Sequence, residues 1–389
     1  MNKKIINITA FCFLILCQPL FTQTWSSRKR LTWTSDHSVF PAAAVYTGGR
    51  IHLVWMENEA SGPGVEIYYK RTTDGGSSWL PSKRLTWNSG KSERPAILVD
   101  NFGRVFVFWN DETPGNFELY YRKSMDGGVT WLKPRRMTFN SADMDSPASA
   151  CVDSSNRIHL IYSDRTYGYD QVFYRTSTNG GQDWTSIHRV TYTFDAFQPK
   201  IALDSSGIVH LVWMESNKDD EIEIYYKKRL SNGTWTGQRR LTWHLQGSFY
   251  PSITIDSADT VHVVWSSLKT GSYEIFYRKS TDKGATWSTA NRITWTGGSE
   301  WPMISVDSNK DLHLVWMDES LGQYEVYYKK CIFSVGWFGN KRLTWNSGAS
   351  EFPYIVIDSS DDLHVFWNDN TPGNCEIFYR YYSKKWVYK

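Results

Sequence analysis

The 389-residue sequence lacks the charge imbalance and the long apolar segments that mark several classes of protein. It carries 43 Lys and Arg against 40 Asp and Glu, a net charge of +3, so it has none of the basic excess of a nucleic-acid-binding protein. Beyond Pro19, no segment is long and apolar enough to cross a bilayer. Proline is scarce, whereas aromatic residues make up 16%, which excludes a disordered chain and favours aromatic-rich β-strands.

Cysteine is also scarce, at five residues. Cys12 and Cys17 fall in the apolar N-terminal run, and the remaining Cys151, Cys331 and Cys375 are odd in number and show no CxxC spacing. We therefore expect neither a disulfide framework nor a zinc site, and no cofactor.

The N-terminus has the organisation of a secretory signal. Lys3 and Lys4 precede an apolar run from Ile5 to Cys17, and Pro19 follows as a breaker. This predicts a signal peptide over residues 1–23 and a mature domain over residues 24–389, either secreted or held at the cell surface. A lipid anchor at Cys17 is the alternative.

One tetrapeptide of the form Arg-apolar-Thr-aromatic recurs at intervals of 50 to 54 residues. The copies begin at Arg30, Arg84, Arg136, Arg189, Arg240, Arg292 and Arg342. Between copies, runs of β-branched and aromatic residues separated by turns predict four short strands. Many runs are apolar at successive positions, so each sheet must bury both faces, as it would when stacked radially on copies of itself. The sequence therefore predicts an all-β chain folded as a single seven-bladed β-propeller of four-stranded blades.

The two ends of the repeat predict how the propeller closes. The inner strand of each blade is expected to begin at a proline, and these prolines are Pro41, Pro95, Pro147, Pro199, Pro251, Pro302 and Pro353. The N-terminal segment 25–33 has the Trp-to-Arg spacing of an outer strand but no strands before it. We therefore expect this segment to pair with the strands that follow Pro353 and to complete the last blade.

A second motif, Ser/Thr-x-Asp-x-Gly-x-x-Trp, precedes the tetrapeptide in three units, with Asn for Asp in a fourth. Its core residues are Asp74, Gly76 and Trp79; Asp126, Gly128 and Trp131; Asn179, Gly181 and Trp184; and Asp282, Gly284 and Trp287. The motif resembles the Asp-box (BNR) repeat of the sialidase superfamily, and the resemblance covers the whole mature chain. It implies a sialidase-like propeller.

The Asp-box residues have a structural explanation. The carboxylate can accept backbone N–H groups across a tight turn, the glycine takes the positive φ that the turn requires, and the tryptophan fills the gap between neighbouring sheets. Histidine likewise opens the second strand in six units, at His52, His159, His210, His262, His313 and His364. Equivalent positions of different blades lie too far apart there to share a metal ion, so we expect structural histidines and no metal site.

Acidic and aromatic residues are predicted to collect on the face opposite the Asp boxes. An acid ends the second strand in six units, another lies two residues before the inner-strand proline in four, and aromatic residues close the outer strands. Aromatic rings beside carboxylates suit sugar rings. The candidate ligand-binding residues are Glu93, Asp111, Glu300, Asp318, Glu351, Asp369, Trp87 and Trp345. The alternative is that the aromatic residues pack between blades and the acids cap turns.

The sialidase resemblance also implies three arginines that grip a carboxylate, a Tyr–Glu nucleophile pair and an aspartic acid/base. In that family the first arginine lies two residues before an inner-strand proline, and none of the seven equivalent positions here is arginine. Arg94 lies one residue before Pro95, and on a regular strand it would point to the other side. The family is also typically six-bladed. Both departures argue against a sialidase mechanism.

The third unit departs most from the other six. Its third strand begins with Gln171 where the others have Glu, and the loop before it holds an arginine and two tyrosines found in no other unit. We predict that this unit could hold an anionic sugar through Arg165, Tyr167 and Tyr169, with Asp145 and Asp164 as acid and base if it hydrolyses one. The alternative is drift in a loop that tolerates change.

These patterns support two hypotheses for the function. The first is a secreted, non-catalytic propeller that binds a glycan or a cell-surface protein, because near-equivalent units suit a repeated weak binder. The second is an exo-α-sialidase-type glycoside hydrolase with a divergent active site. Under either hypothesis we expect a monomer that binds no nucleic acid and has no transmembrane segment.

Overall fold

The computed structural model describes residues 25–58, 64–140, 147–217, 221–243 and 246–383. The predicted signal peptide and Asp145 lie outside these residues. The described part of the chain is all β-strand and turn, with no helix long and apolar enough to span a membrane.

The strands form seven antiparallel sheets arranged as the blades of a propeller, which confirms the predicted fold. The N-terminal strand is β1 (Lys29–Arg30). The first four blades consist of β2 (His37–Tyr46), β3 (Arg50–Asn58), β4 (Val65–Thr72) and β5 (Lys83–Arg84); β6 (Ser92–Val99), β7 (Val105–Asp111), β8 (Glu118–Ser124) and β9 (Arg135–Arg136); β10 (Ser149–Val152), β11 (Ile158–Asp164), β12 (Gln171–Ser177) and β13 (His188–Arg189); and β14 (Ala196–Leu203), β15 (Val209–Ser216), β16 (Ile222–Arg229) and β17 (Arg239–Arg240). The last three consist of β18 (Ser248–Ile255), β19 (Val261–Ser267), β20 (Glu274–Ser280) and β21 (Asn291–Arg292); β22 (Ser299–Val306), β23 (Leu312–Asp318), β24 (Glu325–Ile332), β25 (Gly336–Trp337) and β26 (Lys341–Arg342); and β27 (Ser350–Ile357), β28 (Leu363–Asp369) and β29 (Glu376–Tyr382).

The two ends of the chain share the seventh blade, as predicted. Strand β1 pairs with β29, with Lys29 opposite Tyr379 and Arg30 opposite Phe378, so the strand order is β1-β29-β28-β27. Around the axis, the first strand of each blade contacts the first strand of the next, and β27 contacts β2. The ring of blades is therefore closed.

The second strand of each blade explains why the blades stack. Every residue of β7, β11, β19, β23 and β28 is buried, so both faces of these strands are covered. Apolar side chains on both faces can be hidden from water only when another sheet lies on each side. This is the arrangement that the uninterrupted apolar runs of the sequence predict.

A tryptophan fills each junction between blades and packs on a tyrosine of the preceding blade. Ring centroids in these pairs lie 4.9 to 5.9 Å apart. The pairs are Trp25 with Tyr328, Trp79 with Tyr379, Trp131 with Tyr69, Trp184 with Tyr121, Trp235 with Tyr174, Trp287 with Tyr226, and Trp337 with Tyr277. Trp25 fills the junction between the sixth and seventh blades in this way.

The inner strands depart from the sequence prediction. Six of them begin three or four residues before the proline rather than at it, and each contains a β-bulge there. The residue before the proline has a left-handed backbone, with φ between 50° and 54°. These residues are Phe40, Arg94, Gln198, Tyr250, Trp301 and Phe352. In the third blade, Pro147 instead precedes β10.

Candidate functional site

The repeated pattern Arg-apolar-Thr-aromatic forms an internal clamp in each blade. In six blades the arginine pairs, at 2.5 to 2.8 Å, with the buried glutamate that begins the third strand. These pairs are Arg30 with Glu376, Arg84 with Glu66, Arg136 with Glu118, Arg240 with Glu223, Arg292 with Glu274, and Arg342 with Glu325. The arginine Nε also donates to the threonine carbonyl, so the clamp fixes the end of the outer strand.

The aromatic residue after the clamp is exposed in all seven blades. Between 60% and 76% of each side chain is accessible. These residues, which we call the rim aromatics, are Trp33, Trp87, Phe139, Tyr192, Trp243, Trp295 and Trp345. A cation lies within 6.0 Å of each ring centroid, so one side of the ring is supported by charge while much of the rest faces solvent.

The rim aromatics lie at the junctions between blades. A basic side chain from the third strand of the next blade donates to the carbonyl two residues before the aromatic, as Lys70 Nζ does to the Leu31 oxygen at 2.7 Å. Arg122 makes the equivalent bond to Leu85 and lies 5.6 Å from the Trp87 centroid. A cavity of about 380 Å³ opens beside Trp87, lined by Arg84, Arg122 and the hairpin of the second blade.

Three of the predicted ligand-binding acids are engaged inside the blades. Asp111, Asp318 and Asp369 are buried, and each accepts a bond from the indole Nε1 two residues earlier and from a serine hydroxyl of the inner strand. Each carboxylate also caps the backbone N–H two residues later. These contacts account for the recurrence of an acid at this position without a ligand.

The acids two residues before the inner-strand proline are placed differently. Glu300 accepts a hydrogen bond from the Tyr324 hydroxyl at 2.9 Å, and Glu351 one from Asn368 at 3.4 Å. Burial raises the pKa of both carboxyls, and for Glu300 the charge of Glu319 raises it further while the bond from Tyr324 opposes the shift. Glu93 is the third predicted acid that lies two residues before an inner-strand proline. It is half-buried, at the equivalent place in the second blade.

An aromatic arc, whose residues were not among the predicted binding residues, lies beside these acids. Tyr250, Trp301, Phe352 and Phe40 belong to four consecutive blades, and neighbouring ring centroids lie 4.1, 5.0 and 4.2 Å apart. Each has the left-handed backbone of the bulge, where strict alternation of side chains along a strand no longer holds. Arg94 lies in the same kind of bulge, so the alternation of a regular strand does not determine which way its side chain points relative to Glu93.

The third blade holds a cavity of about 360 Å³ at its junction with the second. It is lined by Phe139, Asn140, Asp164, Thr166, Tyr167, Phe173, Ile187 and Arg189. Asp164 is buried and accepts bonds from the N–H and hydroxyl of Thr166 and from Asn140. Burial raises the pKa of the Asp164 carboxyl despite these bonds.

Of the predicted third-unit residues, the structure brings only Asp164 and Tyr167 into this cavity. Arg165 forms an ion pair with Asp170 at 3.0 Å, and Tyr169 is exposed outside the lining. Asp145 lies outside the described residues. Arg189 lines the cavity although it was not predicted, and its signal in the sequence is Gln171, which replaces the glutamate of the other six clamps.

The histidines and Asp boxes make structural contacts. In six blades the second-strand histidine Nδ1 lies 2.6 to 2.8 Å from the hydroxyl of the junction tyrosine. In the Asp-box turn of the second blade, Asp126 accepts the N–H of Thr130, and Ser124 accepts that of Gly128. Within the described ranges, no three His, Cys, Asp or Glu side chains are grouped closely enough to hold a metal ion.

The fold of this chain is found among solved structures, although its sequence matches no known family. No family model and no curated protein matches the sequence. Among solved structures, the NanB sialidase of Streptococcus pneumoniae matches with a TM-score of 0.54 at 13% identity, over 91% of this chain and 70% of its own. The fold is that of a sialidase-like propeller.

Two other solved structures resemble the chain over nearly their whole length. The polysaccharide lyase PL25-Ulvanlyase matches with a TM-score of 0.66 at 11% identity, over 90% of this chain and 95% of its own. The BP39L lectin from Burkholderia pseudomallei matches with a TM-score of 0.65 at 11% identity, over 88% of this chain and 98% of its own. At these identities, the likeness concerns the fold alone.

Proposed function

We propose that this protein is a secreted, non-catalytic propeller that binds carbohydrate through its rim aromatics. The observation that carries the proposal is the exposure of an aromatic side chain at the same place in all seven blades. Large apolar side chains kept exposed at equivalent positions mark an interaction surface. A sugar ring can stack its C–H face on such a side chain while its hydroxyls meet nearby hydrogen-bonding groups.

The polar surroundings of the rim aromatics support this ligand. Beside Trp345, the guanidinium groups of Arg342 and Arg380 lie 6.0 and 5.7 Å from the ring centroid. Each guanidinium has five N–H donors, more than its protein partners use, so donors remain for sugar hydroxyls. Seven weak sites on one rigid ring would bind a multivalent glycan surface with high avidity.

The predicted ligand-binding acids are not assigned to the binding sites at the rim aromatics. Asp111, Asp318 and Asp369 are buried within their blades, whereas Glu93, Glu300 and Glu351 lie beside the bulged inner strands. We assign the latter three, with the aromatic arc, to a secondary contact surface near the axis. Sialidase, lyase and lectin occur among the structural neighbours, so a ligand of the carbohydrate class suits each reported activity on this fold.

Glycan arrays and calorimetry test the proposal. Replacing Trp87 or Trp345 by Ala should weaken binding to a glycan-coated surface in steps, because each substitution removes one of several equivalent sites. Phe102→Ala is the matched control, since Phe102 is 72% exposed but belongs to a turn between the first two strands of its blade. Complete loss from one tryptophan substitution, or equal loss from Phe102→Ala, would contradict the repeated site.

A second candidate function, glycoside hydrolysis, is favoured by one observation. The raised pKa of Asp164, in a cavity of sugar size, suits a general acid. A panel of fluorogenic glycosides separates the two functions. Turnover that Asp164→Asn abolishes would establish the hydrolase, and absence of turnover from a protein that binds glycan would support the non-catalytic propeller.

A further inference from the structure

One of the seven arginine clamps differs from the other six in the charge of the arginine's partner. In six blades the guanidinium is neutralised by a buried glutamate, but in the third blade Arg189 meets the neutral side chain of Gln171 at 3.1 Å. The remaining clamp contacts persist, because Arg189 Nε donates to the Thr191 carbonyl at 2.8 Å and Thr191 donates to Gln171 Oε1. The third blade therefore keeps the geometry of the clamp and loses its negative charge.

The surroundings of Gln171 are built for a neutral side chain. Its Nε2 donates to the carbonyls of Asp170 and Phe194 at 2.8 and 2.9 Å, and to that of Thr193 at 3.2 Å. In five of the other blades the glutamate instead accepts a backbone N–H from this segment, as Glu118 does from Asn140. A carboxylate at position 171 would face three carbonyl oxygens, so the local backbone disfavours it.

Arg189 is therefore a cation without a paired carboxylate. Among the residues that the structure describes, no carboxylate lies within ion-pair distance of it. Its guanidinium carbon lies 4.1 Å from the Tyr167 ring centroid and 4.8 Å from that of Tyr192. Within the described ranges, two of its five N–H groups have protein acceptors, which leaves three for a ligand.

The cavity gives this cation access to a ligand. Arg189 lines the space of about 360 Å³ together with exposed Phe139 and Tyr167, and Tyr167 stacks on Phe173 with ring centroids 6.2 Å apart. Asp164 is the acid in the lining, and its carboxylate is buried and held by Thr166 and Asn140. The cavity therefore combines two exposed rings with one available guanidinium.

We propose that this cavity is a single acidic-saccharide subsite, in which Arg189 binds the carboxylate or sulfate of a sugar that stacks on Tyr167 and Phe139. The assignment rests on the proposed carbohydrate-binding function and gives one blade junction a specificity that the others lack. A planar guanidinium suits both anions, since either can accept two parallel N–H bonds. Arg165 is not assigned this role, because Asp170 balances its charge.

The test compares charged saccharides with their neutral counterparts. Calorimetry is run with hexagalacturonic acid and its fully methyl-esterified form, and with a sulfated galactan tetrasaccharide and its desulfated form. The parent protein should bind at least one charged member more tightly than its neutral counterpart, by about tenfold or more for a hydrogen bond to a charged group. The pair that shows the difference identifies the anion.

Substitutions of Arg189 locate the charge. Arg189→Gln should remove the preference for the charged member and leave the neutral members bound as before, whereas Arg189→Lys should keep part of it. Lys133→Gln, which removes an exposed cation of the second blade outside the cavity, is the control. Melting curves check that each variant is folded.

The outcomes separate this inference from the proposed function. If Arg189→Gln keeps the preference for the charged saccharide, or the parent binds charged and neutral members equally, the acidic subsite is refuted while carbohydrate binding stands. If no member of either pair binds, the subsite is refuted, and absence of binding across the glycan array as well refutes the proposed function.

Discussion

At the residue scale, the blade junctions depend on glycines at positions where a larger residue would not fit. The Asp-box glycines have φ between 72° and 86°, and Gly76, Gly128 and Gly284 lie directly under the junction tyrosines. A Cβ at Gly128 would lie 1.8 Å from the Tyr69 hydroxyl oxygen. That hydroxyl also bonds His52 of its own blade, at 2.6 Å, so it cannot move away freely. Glycine is therefore required here by space as well as by backbone conformation.

Gly128→Ala should destabilise the protein strongly, by about 3 kcal/mol or more, because overpacking adds to left-handed strain. The neighbouring Gly127 is the matched control. It also has a positive φ, of 66°, but a Cβ there would meet nothing closer than 3.9 Å, so Gly127→Ala should cost only about 1 kcal/mol. Urea denaturation measures both, and equal losses would show that the contact with Tyr69 is unimportant.

At the scale of the element, strand β1 stabilises the seventh blade out of proportion to its length. It covers the edge of β29, and Arg30 pairs with the buried carboxylate of Glu376 at 2.6 Å. The hydroxyl of Thr32 donates to the same carboxylate, and the backbone N–H of Thr34 donates to it at 2.9 Å. Trp25 adds a packed ring at the adjoining junction.

Deleting residues 25–34 should lower the melting temperature sharply. The deletion exposes the edge of β29 and leaves the Glu376 carboxylate buried without its partners, and loss of one partner of a buried ion pair typically costs about 3 to 5 kcal/mol. A synthetic peptide of residues 25–34, added in trans, should restore part of the loss. An unchanged melting curve for the deleted protein would contradict the role of β1.

At the scale of the whole molecule, equivalent buried histidines in several blades have a lowered pKa and therefore titrate together. Burial lowers the pKa of His52 to about 3, and those of His159, His210 and His262 to about 4, with Arg71 and Arg50 adding to the shift at His52. The unfolded chain binds protons at these residues near the ordinary pKa of 6.5, and the folded chain does not. Folding stability from these residues is therefore complete above pH 6.5 and is lost as the pH falls toward 4.

We expect the free energy of unfolding to decrease between pH 6.5 and 5, by an amount that scales with the number of buried histidines. Each contributes about 3 to 5 kcal/mol over its full range, at 1.36 kcal/mol per pKa unit, with His52 at the upper end. Buried acids whose pKa is raised by burial, such as Glu57 and Glu215, act in the opposite sense, because the folded chain takes up protons there before the unfolded chain does as the pH falls. His52→Phe, which copies Phe106 of the second blade, should flatten the pH dependence. A stability that stays constant or rises over this window would disprove the account.

The sequence by itself determined the seven blades, the shared seventh blade and the position of the strands to within a few residues. These features follow from local signals, because apolar runs, turn residues and the repeat interval act over short stretches of chain. The same pattern indicated Asp111, Asp318 and Asp369 as ligand-binding candidates. The tertiary structure shows that they meet indoles and serines within their own blades, contacts that depend on strand register.

Only the tertiary structure decided which charges remain available and where the backbone departs from regular strands. A left-handed residue before proline has no local signal when that residue is Phe, Tyr or Trp, so the bulges that assemble the aromatic arc near the axis were not predictable. Gln171 was visible in the sequence as an exception, but its meaning was not. Arg189 stands out because six equivalent arginines, far apart in the chain, are neutralised by folding against a glutamate, whereas the third blade brings a neutral side chain to the same place.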